Sequence, residues 1–170
     1  MPEGSRQSKG MNIANLLPIA ADEKVTSMIR VPEFDEEKYL VMVTKQGIIK
    51  RISLNAYNTA RKGGLIALEL NDGDELAWVR LTDGNQQVIV ATKNGLAIRF
   101  EETDVRPMGR QARGVKAISL REGDCVVGMC VVTNDDLILT ASETGFGRIS
   151  NVSDYRLQSR GGKGITCLLY

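Results

Sequence analysis

The chain has 170 residues, of which 25% are charged and 42% hydrophobic, with a formal net charge of +1. That is enough chain for a domain with its own core, its composition excludes disorder throughout, and its overall charge alone argues for no polyanionic partner. No apolar run approaches the ~18 residues of a membrane span, no signal-peptide pattern opens the chain, and the lack of histidine excludes a Ser-His-Asp or Cys-His site and removes the commonest zinc ligand.

In chain order, residues 1–10 read as a basic loop or linker carrying Arg6 and Lys9, and Gly10 opens a short apolar strand over 11–17. A turn at Ala21-Asp22 leads to a strand over 25–31. The next segment, Leu40-Val41-Met42-Val43-Thr44-Lys45-Gln46-Gly47-Ile48-Ile49-Lys50-Arg51-Ile52, holds two β-rich runs around a short polar turn that ends on glycine. Glycine suits that place because a tight hairpin turn needs a positive φ, which costs other residues. A one-turn helix is expected over 54–58, then a basic loop with Arg61 and Lys62, then a strand over 65–70 opened by Gly64. The turn Asn71-Asp72-Gly73-Asp74 leads into a strand over 75–81.

The same series returns twice. Strands over 88–92 and 96–101 flank Gly95, followed by a one-turn helix over 102–105, a basic loop, and a strand over 115–120 after Gly114. The turn Arg121-Glu122-Gly123-Asp124 then leads into a strand over 125–132. Strands over 137–141 and 146–150 flank Gly145, followed by a one-turn helix over 152–156, a basic loop, and a strand over 165–170 after Gly164. The hairpin glycines lie 48 and 50 residues apart, and Gly10, Gly64, Gly114 and Gly164 lie 54, 50 and 50 apart. Four short strands per ~50 residues is the signature of propeller-like blades that bury their faces on one another. The expected fold is all-β, with three four-stranded antiparallel blades at about 24–70, 75–120 and 125–170 and the strand over 11–17 left over. Cys125, Cys130 and Cys167 are odd in number, lie at no metal-ligand spacing, and read as small hydrophobes in a reducing compartment.

Charge follows the repeat. The windows 5–10, 59–64, 106–116 and 156–163 hold 11 of the 22 basic residues and no acid. Equivalent loops of a repeat share one edge of the array, so these windows predict a positive stripe made of Arg6, Lys9, Arg61, Lys62, Arg110, Arg113, Lys116, Arg160 and Lys163. The strand residues Lys50, Arg51, Arg99 and Arg148 are candidates to extend it. Such a stripe suits the backbone of duplex DNA, with contacts that position the polyanion and do not read its sequence. Aromatic residues make up only 5%, which offers no stacking platform for single strands. No catalytic residue, metal site or cofactor is expected.

At these loops a family resemblance emerges. Gln158-Ser159-Arg160-Gly161-Gly162-Lys163-Gly164 resembles the box of the DNA gyrase A family, with Ser159 where a second basic residue is usual. Asn15-Leu16-Leu17-Pro18, Asp72-Gly73-Asp74-Glu75-Leu76, Val105-Arg106-Pro107-Met108-Gly109-Arg110 and Gly145-Phe146-Gly147-Arg148 resemble that family's C-terminal blades in order and spacing. The resemblance implies a β-pinwheel whose outer rim binds and wraps double-stranded DNA, in support of ATP-dependent negative supercoiling. It also implies, as partners, the rest of gyrase A together with gyrase B in a cytoplasmic, nucleoid-associated heterotetramer. The family's catalytic tyrosine lies outside such a segment; Tyr57 and Tyr155 occupy equivalent repeat positions and read as structural. The topoisomerase IV counterpart and a protein-interaction propeller are the alternatives. An interaction propeller would present aromatics on a channel face, whereas DNA wrapping needs basic residues contiguous along a rim.

Overall fold

The structure is a computed structural model, and it describes residues 5–17, 19–20, 23–59 and 64–167. No described residue lies in an α-helix. The strands are β1 (Tyr39–Thr44), β2 (Ile48–Ser53), β3 (Leu76–Thr82), β4 (Gln87–Thr92), β5 (Leu96–Glu101), β6 (Val115–Lys116), β7 (Val126–Val132), β8 (Leu137–Ala141), β9 (Gly147–Asn151) and β10 (Ile165–Thr166). The expected hairpins form as β1–β2, β4–β5 and β8–β9. Each loop closes on a hydroxyl residue: Thr44 Oγ1 accepts from Ile48 N–H at 3.2 Å, Thr92 Oγ1 from Leu96 N–H at 3.3 Å and Ser142 Oγ from Phe146 N–H at 3.1 Å. The one-turn helices are 3-10 turns at Leu54–Tyr57, Glu102–Asp104 and Val152–Asp154.

The sheets are not the contiguous groups of strands that the repeat predicts. The first sheet runs β3-β1-β2-β6 and the second β10-β5-β4-β7. Strand β3, expected in the second group, pairs with β1 of the first, and β6 pairs with β2 one repeat earlier. Strands β7 and β10 repeat the arrangement on β4 and β5. The acidic turns show why the chain returns to the hairpin it has just left. Asp74 Oδ1 accepts from Gln46 N–H at 2.9 Å and Glu75 N–H at 2.8 Å, and Asp124 Oδ1 from Asn94 N–H at 3.0 Å and Cys125 N–H at 2.9 Å. Each carboxylate therefore caps the preceding hairpin loop and starts the return strand beside it.

The same phase accounts for the expected strands that do not form. Residues 65–70 hold the repeat position of β6, and 25–31 that of β3, and neither finds a hairpin partner among the described residues. A strand without a partner leaves its backbone groups unpaired and has no ladder to hold it. Both segments are irregular and cover the first sheet, with Ile29, Ala67 and Leu68 packed on Met42, Ile52 and Val79. Residues Ile13–Asn15 form a 3-10 turn where a strand over 11–17 was expected. In the third sheet β8 pairs only with β9 among the described residues.

A core cluster that includes Val41, Val43, Ile49, Val88, Val90, Ile98 and Phe100 joins the first and second sheets. Ile89, Ala97, Val132, Val152, Tyr155 and Cys167 join the second to the third. Two buried arginines fasten consecutive repeats. Arg51 Nη1 donates to Glu102 O (3.2 Å) and Val105 O (3.4 Å), and its guanidinium lies 4.0 Å from the Tyr39 ring centre. Arg99 Nη1 donates to Val152 O (2.9 Å) and Tyr155 O (3.0 Å), and its other nitrogens to Gln87 Oε1 and Asn134 Oδ1. Each holds the 3-10 turn of the following repeat on the preceding hairpin. Buried Glu102 faces Arg51 Nε at 3.7 Å and accepts from Thr82 Oγ1 and Gln86 N–H, both at 2.7 Å. A buried charge persists only when paired in this way.

The closing strands approach very closely. A Cβ on Gly114 (φ +108°) would lie 2.6 Å from Ile49 O, and one on Gly164 (φ +75°) 2.6 Å from Ala97 O. Alanine at either position combines that clash with a disfavoured φ and is expected to lower unfolding free energy by about 2–4 kcal/mol. Gly109→Ala, with nothing within 4 Å of its Cβ, should change it by about 0.5 kcal/mol or less. Chemical denaturation of the three variants checks this ordering.

Candidate nucleic-acid interface

The loop that precedes each closing strand is bound to the repeat before it. In the third repeat Gly161 N–H donates to Ala117 O (2.6 Å), and Ser119 returns bonds from N–H to Gly162 O (2.8 Å) and from Oγ to Gly161 O (2.7 Å). Gln158 N–H donates to Arg99 O at 3.0 Å. The box-like loop, Gln158 to Gly164, therefore lies along residues 116–119. In the second repeat Met108 N–H donates to Arg51 O (2.9 Å), Lys50 Nζ donates to Arg110 O (2.6 Å) and Ala67 O (2.7 Å), and Arg113 Nη2 pairs with Glu69 Oε1 at 2.7 Å. That loop lies along residues 67–69.

Segments 67–69, 110–113, 116–119 and 160–163 thus adjoin one another in series. Arg110, Arg113, Lys116, Arg160 and Lys163 all fall on this strip, with Arg113, Lys116 and Lys163 exposed and Arg110 and Arg160 half-buried. Ser159 is exposed and Gln158, Gly161 and Gly162 are half-buried. Arg6 and Lys9 are exposed at the N-terminal turn, whose described hydrogen bonds, from Ser8 N–H and Oγ to Ser5 O, are internal to it. Arg61 and Lys62 lie outside the described residues.

Three expectations change. First, the loops lack acids in sequence but not in space. The hydrogen bond and charge of Arg113 hold the Glu69 carboxyl below its ordinary range, and Glu69 in turn raises the Arg113 guanidinium. Second, Arg160 is an anchor as well as a surface cation: Nε donates to Asp104 O (3.0 Å) and Nη1 to Lys116 O (3.1 Å). Third, Lys50, Arg51 and Arg99 do not extend the stripe, since they are 0%, 6% and 5% exposed. Lys50 reaches two carbonyls and no carboxylate, and burial pushes its ammonium below the ordinary lysine range. Arg148 is exposed. The signal for the buried set was present in the sequence: Lys50 and Arg51 stand between Ile49 and Ile52 on a strand whose two faces both pack. Burial raises the hydroxyl pKa of Tyr57 and Tyr155.

The profile of the DNA gyrase C-terminal domain, beta-propeller, matches residues 2–32, 38–83, 86–132 and 136–168. Its second stretch holds β1, β2 and β3, and its third holds β4, β5 and β7 together with β6 of the first sheet. The DNA gyrase A protein of Staphylococcus epidermidis is 49% identical over 168 residues, 97% of this chain and 19% of its own length. That of Staphylococcus aureus is 44% identical over the same shares. The chain spans about a fifth of the length of these curated relatives. Among solved structures, the C-terminal domain of DNA topoisomerase IV superposes with a TM-score of 0.86 at 31% identity, over 92% of this chain and 49% of that one. The DNA gyrase A C-terminal domain superposes at 0.82 and 29%, over 93% and 53%. No helix among the described residues is long and apolar enough to cross a membrane. With the gyrase profile covering four successive stretches and nearly half the residues identical to gyrase A, the chain belongs to the DNA gyrase A C-terminal domain family.

Proposed function

We propose that the chain binds double-stranded DNA along the loop strip and contributes to its wrapping as part of gyrase A. The observation that carries this reading is the contiguity of the strip: the bonds of Arg160 and Gly161 to Lys116 and Ala117 set successive basic loops side by side. Cations in series along the strip can contact successive phosphates and carry no base-reading element, so binding is indifferent to sequence. Bending duplex DNA smoothly over a short site costs on the order of 1–6 kcal/mol, and a strip of a few loops offsets only part of that. Binding by this chain alone is accordingly weak. In this reading the chain itself does no chemistry and needs no cofactor. The rest of gyrase A and its partner gyrase B, in the bacterial cytoplasm, supply strand passage and ATP-driven negative supercoiling. Membership of topoisomerase IV is the second reading, favoured by the higher superposition score; the box-like loop and the identity to gyrase A favour gyrase.

The test pairs DNA affinity with stability on the same proteins. Lys116→Ala/Lys163→Ala should weaken binding of a mixed-sequence duplex and reduce the log–log salt slope by about 1–2, while stability moves by about 0.5 kcal/mol or less. A wild-type titration that is flat in salt would sink the proposal. Arg160→Ala should lose binding and also about 1–3 kcal/mol of stability, because two carbonyls lose a charged donor. Lys50→Ala should cost about 2–4 kcal/mol through its cavity and lost hydrogen bonds, with the salt slope unchanged. Fluorescence anisotropy and thermal melts read all four proteins.

A further inference from the structure

Two successive loops of the strip carry equivalent cations in opposite electrostatic states. Arg113 and Lys163 each stand immediately before the glycine that opens a closing strand. The segments that lie beside their loops carry Glu69 and Ser119, each five residues after the corresponding glycine of the preceding repeat. Glu69 Oε1 accepts from Arg113 Nη2 at 2.7 Å. Ser119 brings no charge; it directs N–H to Gly162 O (2.8 Å) and Oγ to Gly161 O (2.7 Å). Among the described residues Arg113 is the one cation of the strip that pairs with an acid.

The pair is held in place by the fold. Lys50, 0% exposed, fastens the two segments together by donating to Ala67 O (2.7 Å) and Arg110 O (2.6 Å). Glu69 and Arg113 therefore face each other before any ligand arrives, which lowers the entropy lost when two long side chains pair. Asp72 adds its charge at the same guanidinium. Segment 116–119 lies against loop 160–163 in the same way, and there the closing strand β6 is paired with β2, so the juxtaposition belongs to the repeat.

We infer that Glu69 is an electrostatic brake on the strip: it keeps Arg113 neutralised, so that phosphates meet Lys116 and Lys163 and not Arg113. This rests on the strip binding DNA, as proposed above. A phosphate approaching Arg113 meets a carboxylate already bonded to the guanidinium and repelling the incoming anion. The Arg113 and Glu69 side chains are 60% and 54% exposed, and a pair so open to solvent is weak. The brake therefore lowers affinity without abolishing it. Glu69, through a residue it touches and not through contact with DNA, sets how many phosphates the strip neutralises.

Anisotropy titrations of a mixed-sequence duplex at stepped salt test this on wild type, Glu69→Gln, Arg113→Ala and the double variant. Glu69→Gln should bind about two- to fivefold tighter at low salt and steepen the log–log salt slope by about one, the value of one added phosphate contact. Arg113→Ala alone should keep the wild-type slope, and the double variant should lose the steepening. Thermal melts of all four proteins should agree closely, since both side chains are exposed. A Glu69→Gln slope equal to wild type, a steepening that persists without Arg113, or an Arg113→Ala slope reduced by about one would each overturn the inference while leaving DNA binding by the strip intact. If none of the four proteins binds duplex, the reading of the strip itself falls and the brake falls with it.

Discussion

A strand from one repeat closes the sheet of the repeat before it, and the remainder of the molecule is arranged around that exchange. The closing strands β6 and β10 are two residues long, too short to hold by their own ladder. Their placement is secured at both ends. On one side the glycine at the strand entrance lets the backbone pass within reach of Ile49 O or Ala97 O. On the other, Ala117 N–H donates to Gly47 O at 2.8 Å and Cys167 N–H to Gly95 O at 2.9 Å. Because the basic loop enters this strand directly, the loop is carried onto the preceding repeat as well. The strip is therefore a consequence of how the sheets close.

The same exchange sorts the cations. Those on the strands of the first two hairpins point into the junction between repeats and serve the fold: Arg51 and Arg99 hold carbonyls of the next 3-10 turn, and Lys50 holds Arg110 O and Ala67 O. Those at the loop ends, Arg113, Lys116 and Lys163, remain in solvent. A net charge of +1 conceals this division, since half the basic residues lie in acid-free windows while acids cluster elsewhere. What matters for a polyanion is the local field of the strip, which acts over roughly 8–10 Å at physiological salt. Glu69 moderates that field at Arg113, and Arg160 gives part of its donor capacity to the backbone.

The hairpins and one-turn helices were legible in the sequence because short-range signals specify them: a glycine after a polar turn and apolar runs on either side. The partners of the outer strands were not. Residues 75–81 carry a strand pattern whichever hairpin they join, and it takes the Asp74 cap on Gln46 to decide between the hairpin before and the hairpin after. Residues 25–31 and 65–70 have the pattern but join no hairpin among the described residues, and both are irregular. At the strip, residue type and spacing located Arg110, Arg113, Lys116, Arg160 and Lys163. The Arg113–Glu69 pair and the Arg160–Asp104 bond join residues 44 and 56 positions apart, and loop composition holds no trace of either.

In the proposed function, exposure, set by strand exchange, decides which cations would meet DNA. Lysine-reactivity mapping of the intact chain, with and without saturating duplex DNA, tests this most directly. Lys50 should be unreactive in both states, and Lys116 and Lys163 should be reactive alone and protected by DNA. Unchanged reactivity at Lys116 and Lys163 under saturating DNA, with protection appearing at other lysines, would contradict it.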